Sequence, residues 1–157
     1  MGRDEIRHQV DHRMKTELQN QLVGKYKAIL SGLDWGIECE DGWYWLLDQL
    51  CYSIQSEVEN ANTLWPALRF SVKAVQVKPK YGSLRFYVDF ISAQNLEDHD
   101  YDKIHKYMDK IGGMISFAER MSGTICEVCG QPGKASKHMY PRTLCEQHFD
   151  NKEPGNV

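Results

Sequence analysis

An α+β fold is predicted for this 157-residue chain from three observations: helical apolar stripes, a pair of alternating strands joined by a Pro/Gly turn, and a closely spaced Cys/His set. The order read along the chain is helix, helix, strand, strand, helix, knuckle. The divisions expected are an N-terminal helix over 1–32, an α+β core over 33–122, a zinc knuckle over 123–150 and a flexible tail over 151–157.

Residues 4–30 read as one long helix. Ile6, Val10, Met14, Leu18, Leu22 and Tyr26 recur every four residues, joined by Ile29 and Leu30, and Ser31-Gly32 is a stop signal. The stripe is narrow, so the helix either lies across the domain or pairs with a second copy or a partner helix. His8 and His12 stand one turn apart, a spacing that suits a metal but also two exposed histidines on a polar face.

Residues 33–42 form an irregular acidic linker with two glycines, in which Cys39 is expected to be exposed. Trp43, Leu46, Leu47, Leu50, Cys51, Ile54 and Val58 then mark an amphipathic helix over 43–60. Asp41 is its expected N-cap and Cys51 an expected core residue. The aromatic run at Trp43 has two readings: packing of the first turn, or an exposed anchor for a partner.

Trp65-Pro66 ends that helix. Phe70, Val72 and Ala74 are assigned to one face of the first strand, Val75 and Val77 to the other. In the second, Leu84, Phe86, Val88 and Phe90 point inward and Arg85, Tyr87 and Asp89 outward. Pro79 and Gly82 between them predict an antiparallel hairpin. Two strands alone rarely make a stable sheet, so either a third strand lies within 33–40 or 60–68 or the helices cover the hairpin. Residues 101–121 form the third helix, capped by Asp98 or Asp100 and ended by Ser122-Gly123. Gly112-Gly113 within it invites a kink or a close helix crossing.

The chemistry sits at the C-terminus. Cys126, Cys129, Cys145 and His148 form a C-x2-C … C-x2-H set. Two thiolates two residues apart turn onto one ion from a single tight knuckle, and the second pair completes a tetrahedron, the arrangement structural zinc prefers. Gly130 supplies the chain reversal. Zinc is therefore the expected cofactor, in a structural role, because four protein ligands leave no position for water. His138 is an alternative fourth ligand. The pattern resembles a treble-clef or zinc-ribbon knuckle.

The net charge is −3, but the distribution is uneven. Residues 32–60 hold seven acids and no Lys or Arg, whereas residues 66–90 hold five bases and one acid. The two blocks either pair internally, stay solvated, or meet partners. Candidate contact residues are Trp35, Glu38, Glu40, Asp41 and Trp43 on the acidic side. On the hairpin they are Lys78, Lys80, Tyr81 and Arg85. With no apolar run near 18 residues and no leader, a soluble cytoplasmic protein that does not engage a membrane is expected.

From Asp41 to His148, about two-thirds of the chain, the segments DGWYWLLDQLC, VKPKYGSLRFY, TICEVCGQPG and TLCEQHF resemble a loose group of small zinc-knuckle proteins of tailed phages and prophages. The resemblance implies a phage or prophage setting rather than a reaction. It also implies a target among host proteins, including those of antiviral defence. The expected function is a non-enzymatic, zinc-stabilised protein-binding module. The alternatives are a nucleic-acid-binding module using the basic hairpin and, more remotely, an HNH-like nuclease, which needs a catalytic histidine (His138 is the nearby candidate) beside a second metal site.

Overall fold

The computed structural model describes residues 13–137 and 139–149. Its elements are α1 (Thr16–Lys25), α2 (Lys27–Leu30), α3 (Tyr44–Leu64), β1 (Ser71–Lys80), β2 (Ser83–Ile91), α4 (Asp98–Ser122), β3 (Lys134–Ala135), β4 (Thr143–Leu144) and α5 (Glu146–Phe149). Short 3-10 turns cover Asp41–Trp43 and Pro66–Leu68. This is a mixed α+β architecture in which α4 packs on β2 and α3, and α2 packs on β1.

The long first helix is corrected. Among the described residues, helical structure begins at Thr16 and breaks at Tyr26, whose backbone leaves the helical region (φ −123°, ψ 47°). The break has a visible partner: the Tyr26 hydroxyl donates to the buried Asp48 carboxylate at 3.0 Å, and Lys25 Nζ reaches the same oxygen at 2.9 Å. The apolar stripe itself holds where it is described, since Met14, Leu22, Tyr26, Ile29 and Leu30 are all buried. His8 and His12 lie outside the described residues, as does the N-terminal part of the stripe.

The second helix runs Tyr44–Leu64, longer than the spacing predicts, with Leu47, Leu50, Cys51 and Ile54 buried. Asp41 does not cap it. Its carboxylate instead accepts the backbone N–H of Lys15 at 2.8 Å, ahead of α1. Asn62 near its C-terminal end brackets Phe70, donating to its carbonyl at 2.7 Å and accepting its N–H at 2.8 Å. That pair fixes where β1 starts.

β1 and β2 form the antiparallel hairpin. Its turn is Tyr81-Gly82, both with positive φ (52° and 80°), the type I′ combination that follows the natural strand twist. The facing assigned to β1 is corrected at one point. A bulge between Ala74 and Gln76 leaves Val75 exposed and returns Val77 to the face of Val72 and Ala74, where it is fully buried. Strict alternation cannot reveal an extra residue. Leu84 and Phe86 are buried as expected.

A two-stranded sheet survives because its edges are covered. On β2, the N–H of Leu84 donates to Ser122 Oγ at 2.7 Å and that of Phe86 to Glu119 Oε1 at 3.0 Å, both from α4. On β1, the carbonyl of Val77 accepts the N–H of Glu38 at 2.9 Å, and Ile37 makes a single parallel bridge to Val77. The third strand looked for in 33–40 is thus one bridge long. This docking buries Cys39 completely, against the exposed position expected for it, and burial pushes its thiol pKa up.

α4 begins at Asp98 with Glu97 at its N-cap and no side-chain cap. Gly112 and Gly113 lie inside one uninterrupted helix, and an added Cβ at either would meet nothing within 4 Å. The close helix crossing expected there is not present at either glycine.

Candidate metal centre

The C-terminal segment is built around Cys126 and Cys129. The chain reverses at Gly130 (φ 78°), whose N–H donates to the Cys126 carbonyl at 2.9 Å, and Cys126 N–H donates to Gln131 O at 2.7 Å. Ile125 bridges Pro132, and β3 pairs with β4 to carry Cys145 back to the knuckle. Cys145 then opens the one-turn α5, and its carbonyl accepts the N–H groups of His148 and Phe149 at 3.1 and 2.9 Å. Three residues of helix bring Cys145 and His148 onto one face.

The four donor atoms all lie within 4.8 Å of one another. Cys129 Sγ and Cys145 Sγ are 3.6 Å apart, and His148 Nδ1 lies 3.2 Å from Cys145 Sγ and 3.5 Å from Cys126 Sγ. Zinc–sulfur bonds of about 2.3 Å at the tetrahedral angle separate two sulfurs by about 3.8 Å, and a sulfur from a nitrogen by about 3.6 Å. The cluster has the size of a metal tetrahedron, with Nδ1 as the facing nitrogen. Cys126 and Cys145 are buried, while Cys129 is exposed.

Two of the thiols are shifted in opposite directions. Burial raises the Cys126 pKa, but backbone amides of Cys145, Cys129 and Val128 outweigh it and bring the thiol down to about 7. Cys129 goes the other way, to about 11, first through desolvation of its sulfur and then through the neighbouring thiols, against an opposing amide of Gln131. Crowded sulfurs cannot all ionise without a positive charge between them. His138 lies outside the described residues; among those described, His148 is the histidine of the cluster. Among the described residues this is the one group of metal-ligating side chains close enough to hold an ion.

The knuckle is docked onto the core. Gly42 N–H donates to Glu127 O at 2.7 Å, Trp43 Nε1 to Ile125 O at 2.9 Å, and Thr143 Oγ1 to Gly82 O at 2.6 Å. Gly42 is needed for this approach: a Cβ there would lie 2.1 Å from Cys126 O. A buried ionic group sits at the junction. Glu127, between the two knuckle cysteines, is 1 % exposed, and Arg142 bridges it to Glu40. Burial pushes the Glu127 pKa up, opposed by the Arg142 charge and reinforced by Glu40.

These contacts revise the candidate contact residues. Trp43 is fully buried, so the packing reading of this tryptophan holds and the exposed-anchor reading fails. Its indole needs a buried acceptor, and only the folded-back knuckle supplies one. Glu40 and Asp41 are engaged by Arg142 and Lys15, and Glu38 hydrogen-bonds Gln76 at 3.4 Å with Arg13 at 4.0 Å. Among the described residues, Glu38, Glu40, Asp41, Asp48 and Glu57 of the acidic block pair with Arg13, Arg142, Lys15, Lys25 and Lys110, and none of these pairs involves the basic hairpin. Trp35 is exposed, as are Lys80 and Tyr81, and Lys78 and Arg85 are half-buried. Arg85 Nη1 donates to Ser83 Oγ and Leu84 O, each at 2.9 Å.

Local spacing gives no sign of the Glu127–Arg142 pair. A glutamate inside C-x2-C carries no periodic signal of burial. A cleft of about 400 Å³ opens beside this ionic group, between the hairpin turn and the loop before β4, with Tyr81 and Tyr140 on its walls. Among the described residues no helix is long and apolar enough to cross a membrane. No protein-family model, curated protein or solved structure matches the chain.

Proposed function

We propose that this chain is a zinc-stabilised, non-enzymatic protein-binding module with a treble-clef-like C-terminal knuckle. The observation that carries the reading is where the knuckle docks: clamped on the hairpin turn, it creates a cleft flanked by two strongly exposed tyrosines. Exposed aromatics around a concavity are the residues that anchor protein interfaces. A set of three sulfurs and one nitrogen closes the zinc shell, so the ion holds the cleft rather than activating water. The phage or prophage setting, and a host defence protein as target, rest on the resemblance of residues 41–148 alone.

A nucleic-acid-binding module is the second reading. It is favoured by one observation: among the described residues the ion pairs of the acidic block do not involve Lys78, Lys80 or Arg85, of which Lys80 lies over the Tyr81 ring and Arg85 bonds locally to Ser83 and Leu84. An affinity pull-down of the intact zinc-loaded protein, from lysate split into nuclease-treated and untreated halves, separates the two. A discrete protein retained after treatment supports the protein-binding module. Recovery of nucleic acid, with partners lost on treatment, favours the hairpin.

A further inference from the structure

We infer that the outer face of the hairpin binds single-stranded nucleic acid, with Lys78, Lys80 and Arg85 on its phosphates and Tyr87 and Tyr81 stacking its bases. The inference rests on the nucleic-acid reading above and names the strand form and the contact residues.

The register fixes which side chains share this face. Val77 pairs with Phe86, and Pro79 with Leu84; Val77, Leu84 and Phe86 are buried, so the intervening pair Lys78–Arg85 projects the other way. Lys80 follows on the same face, opposite Ser83, and Tyr87 stands opposite Gln76. Tyr87 and the turn residue Tyr81 are 41 % and 75 % exposed. Tyr81 also holds a positive φ that asparagine would adopt with less strain, so folding alone gives no reason for a tyrosine there.

Two cations directly opposite on one face of a sheet work against the pairing of the strands. Among the described residues no acid forms an ion pair with Lys78, Lys80 or Arg85. Arg85 Nη1 donates to neutral acceptors, Ser83 Oγ and Leu84 O, and Lys80 Nζ lies over the Tyr81 ring at 5.7 Å. These contacts orient the cations without cancelling them. Asp89 faces Lys73 at the far end of the strands, and Glu38 bonds Gln76 at 3.4 Å with Arg13 at 4.0 Å. Positive charge is thus concentrated beside the turn, where it complements phosphate.

The strand form follows from what the hairpin leaves open. A two-stranded ribbon reads a duplex by entering its major groove. This hairpin is held on every other side. Its inner face packs on the core, α4 covers the β2 edge through Ser122 and Glu119, and Glu38 covers the β1 edge at Val77. The tip is fixed as well, since Gly82 O accepts from Thr143 Oγ1. One face remains, and its tyrosines need unpaired bases, every one of which offers a ring to stack.

The test is fluorescence anisotropy of the intact zinc-loaded protein with labelled oligo-dT, oligo-U and a blunt DNA duplex over a range of salt. A single strand should bind about tenfold or more tighter than the duplex, and the tighter of the two single strands tells RNA from DNA as the ligand. The log–log salt slope should be about −2, for three phosphate contacts at about −0.7 each. The Lys78→Gln, Arg85→Gln double variant should weaken binding and cut the slope to about −0.7, with a melting temperature unchanged or raised because the opposed charges are gone. Tyr87→Val, which keeps a good strand former, should weaken binding about tenfold at an unchanged slope. Equal affinity for duplex and single strand, a slope near zero, or full affinity in either variant overturns the inference. Duplex binding that the double variant abolishes overturns the single-strand form and keeps the nucleic-acid reading. No binding of any probe, with no nucleic acid in the pull-down, removes both.

Discussion

The indole N–H of Trp43 donates to the backbone carbonyl of Ile125 at 2.9 Å, joining residues 82 apart in sequence. One end of this bond is the turn that leads into α3, the other the first residue of the knuckle bridge. The Cys/His knuckle is therefore tied directly to the helical core. Trp43→Phe should keep the ring buried and leave the Ile125 carbonyl short of its donor. A loss of about 1–3 kcal/mol is expected, read by circular dichroism in urea with an unchanged slope. No shift in midpoint would mean that water or another donor replaces the indole.

Metal binding should be stoichiometric and tied to folding. One zinc per chain is expected, with a cobalt-substituted form showing thiolate-to-metal charge transfer in the near ultraviolet. A strong chelator should lower the melting temperature, because the ligand shell forms only on folding. Cys126→Ser should destabilise more than Cys129→Ser, since the first sulfur is buried and the second exposed. A melting curve indifferent to chelator would remove the metal from the account.

The Arg142 junction should be asymmetric. Arg142→Met removes the guanidinium that Glu127 and Glu40 share and leaves the buried Glu127 without it, and a loss of about 3–5 kcal/mol is expected. Glu127→Gln keeps the shape, removes a buried charge and leaves the Arg142–Glu40 pair, so its effect at neutral pH should be small. Denaturation of the two variants side by side decides this; equal losses would contradict it.

Asp48 gives the pH dependence. Burial alone raises its pKa, but hydrogen bonds from Lys25 and Tyr26 hold the carboxyl below its ordinary value. Its contribution is fully present above the ordinary carboxylate range, near pH 4, and is lost as pH falls through the depressed folded value. Asp48→Asn should cost about 1–3 kcal/mol at neutral pH, with the gap to the unmodified protein closing in acid. A gap that persists at the lowest pH would show packing, not charge, at work.

Tyr81 should be better for binding than for folding. Tyr81→Asn relieves a bulky residue at φ 52° and should stabilise the hairpin by about 1 kcal/mol while weakening capture of the partner. A variant that is less stable would mean the ring supports the fold.

How much was legible beforehand follows from the range of each cause. Helix faces, strand existence, the turn and the ligand quartet were readable because periodicity, turn chemistry and ligand spacing act over a few residues. Leu47, Ile54, Leu84 and Phe86 lie where their spacing puts them, and Cys126, Cys129, Cys145 and His148 converge. The break at Tyr26, the bulge at Val75, the burial of Cys39 and Trp43 and the Glu40–Arg142–Glu127 junction were not. Apart from the bulge, which lies within the hairpin, each depends on a partner distant in the chain: Asp48 for Tyr26, Val77 for the linker around Cys39, Ile125 for Trp43, and Arg142 for two acids. By itself the sequence determined the elements and the candidate metal-ligating quartet, since both follow from local spacing. Only the tertiary structure decided which charged and aromatic residues are spent on the fold and which remain at the surface, because desolvation and pairing exist only once distant segments meet.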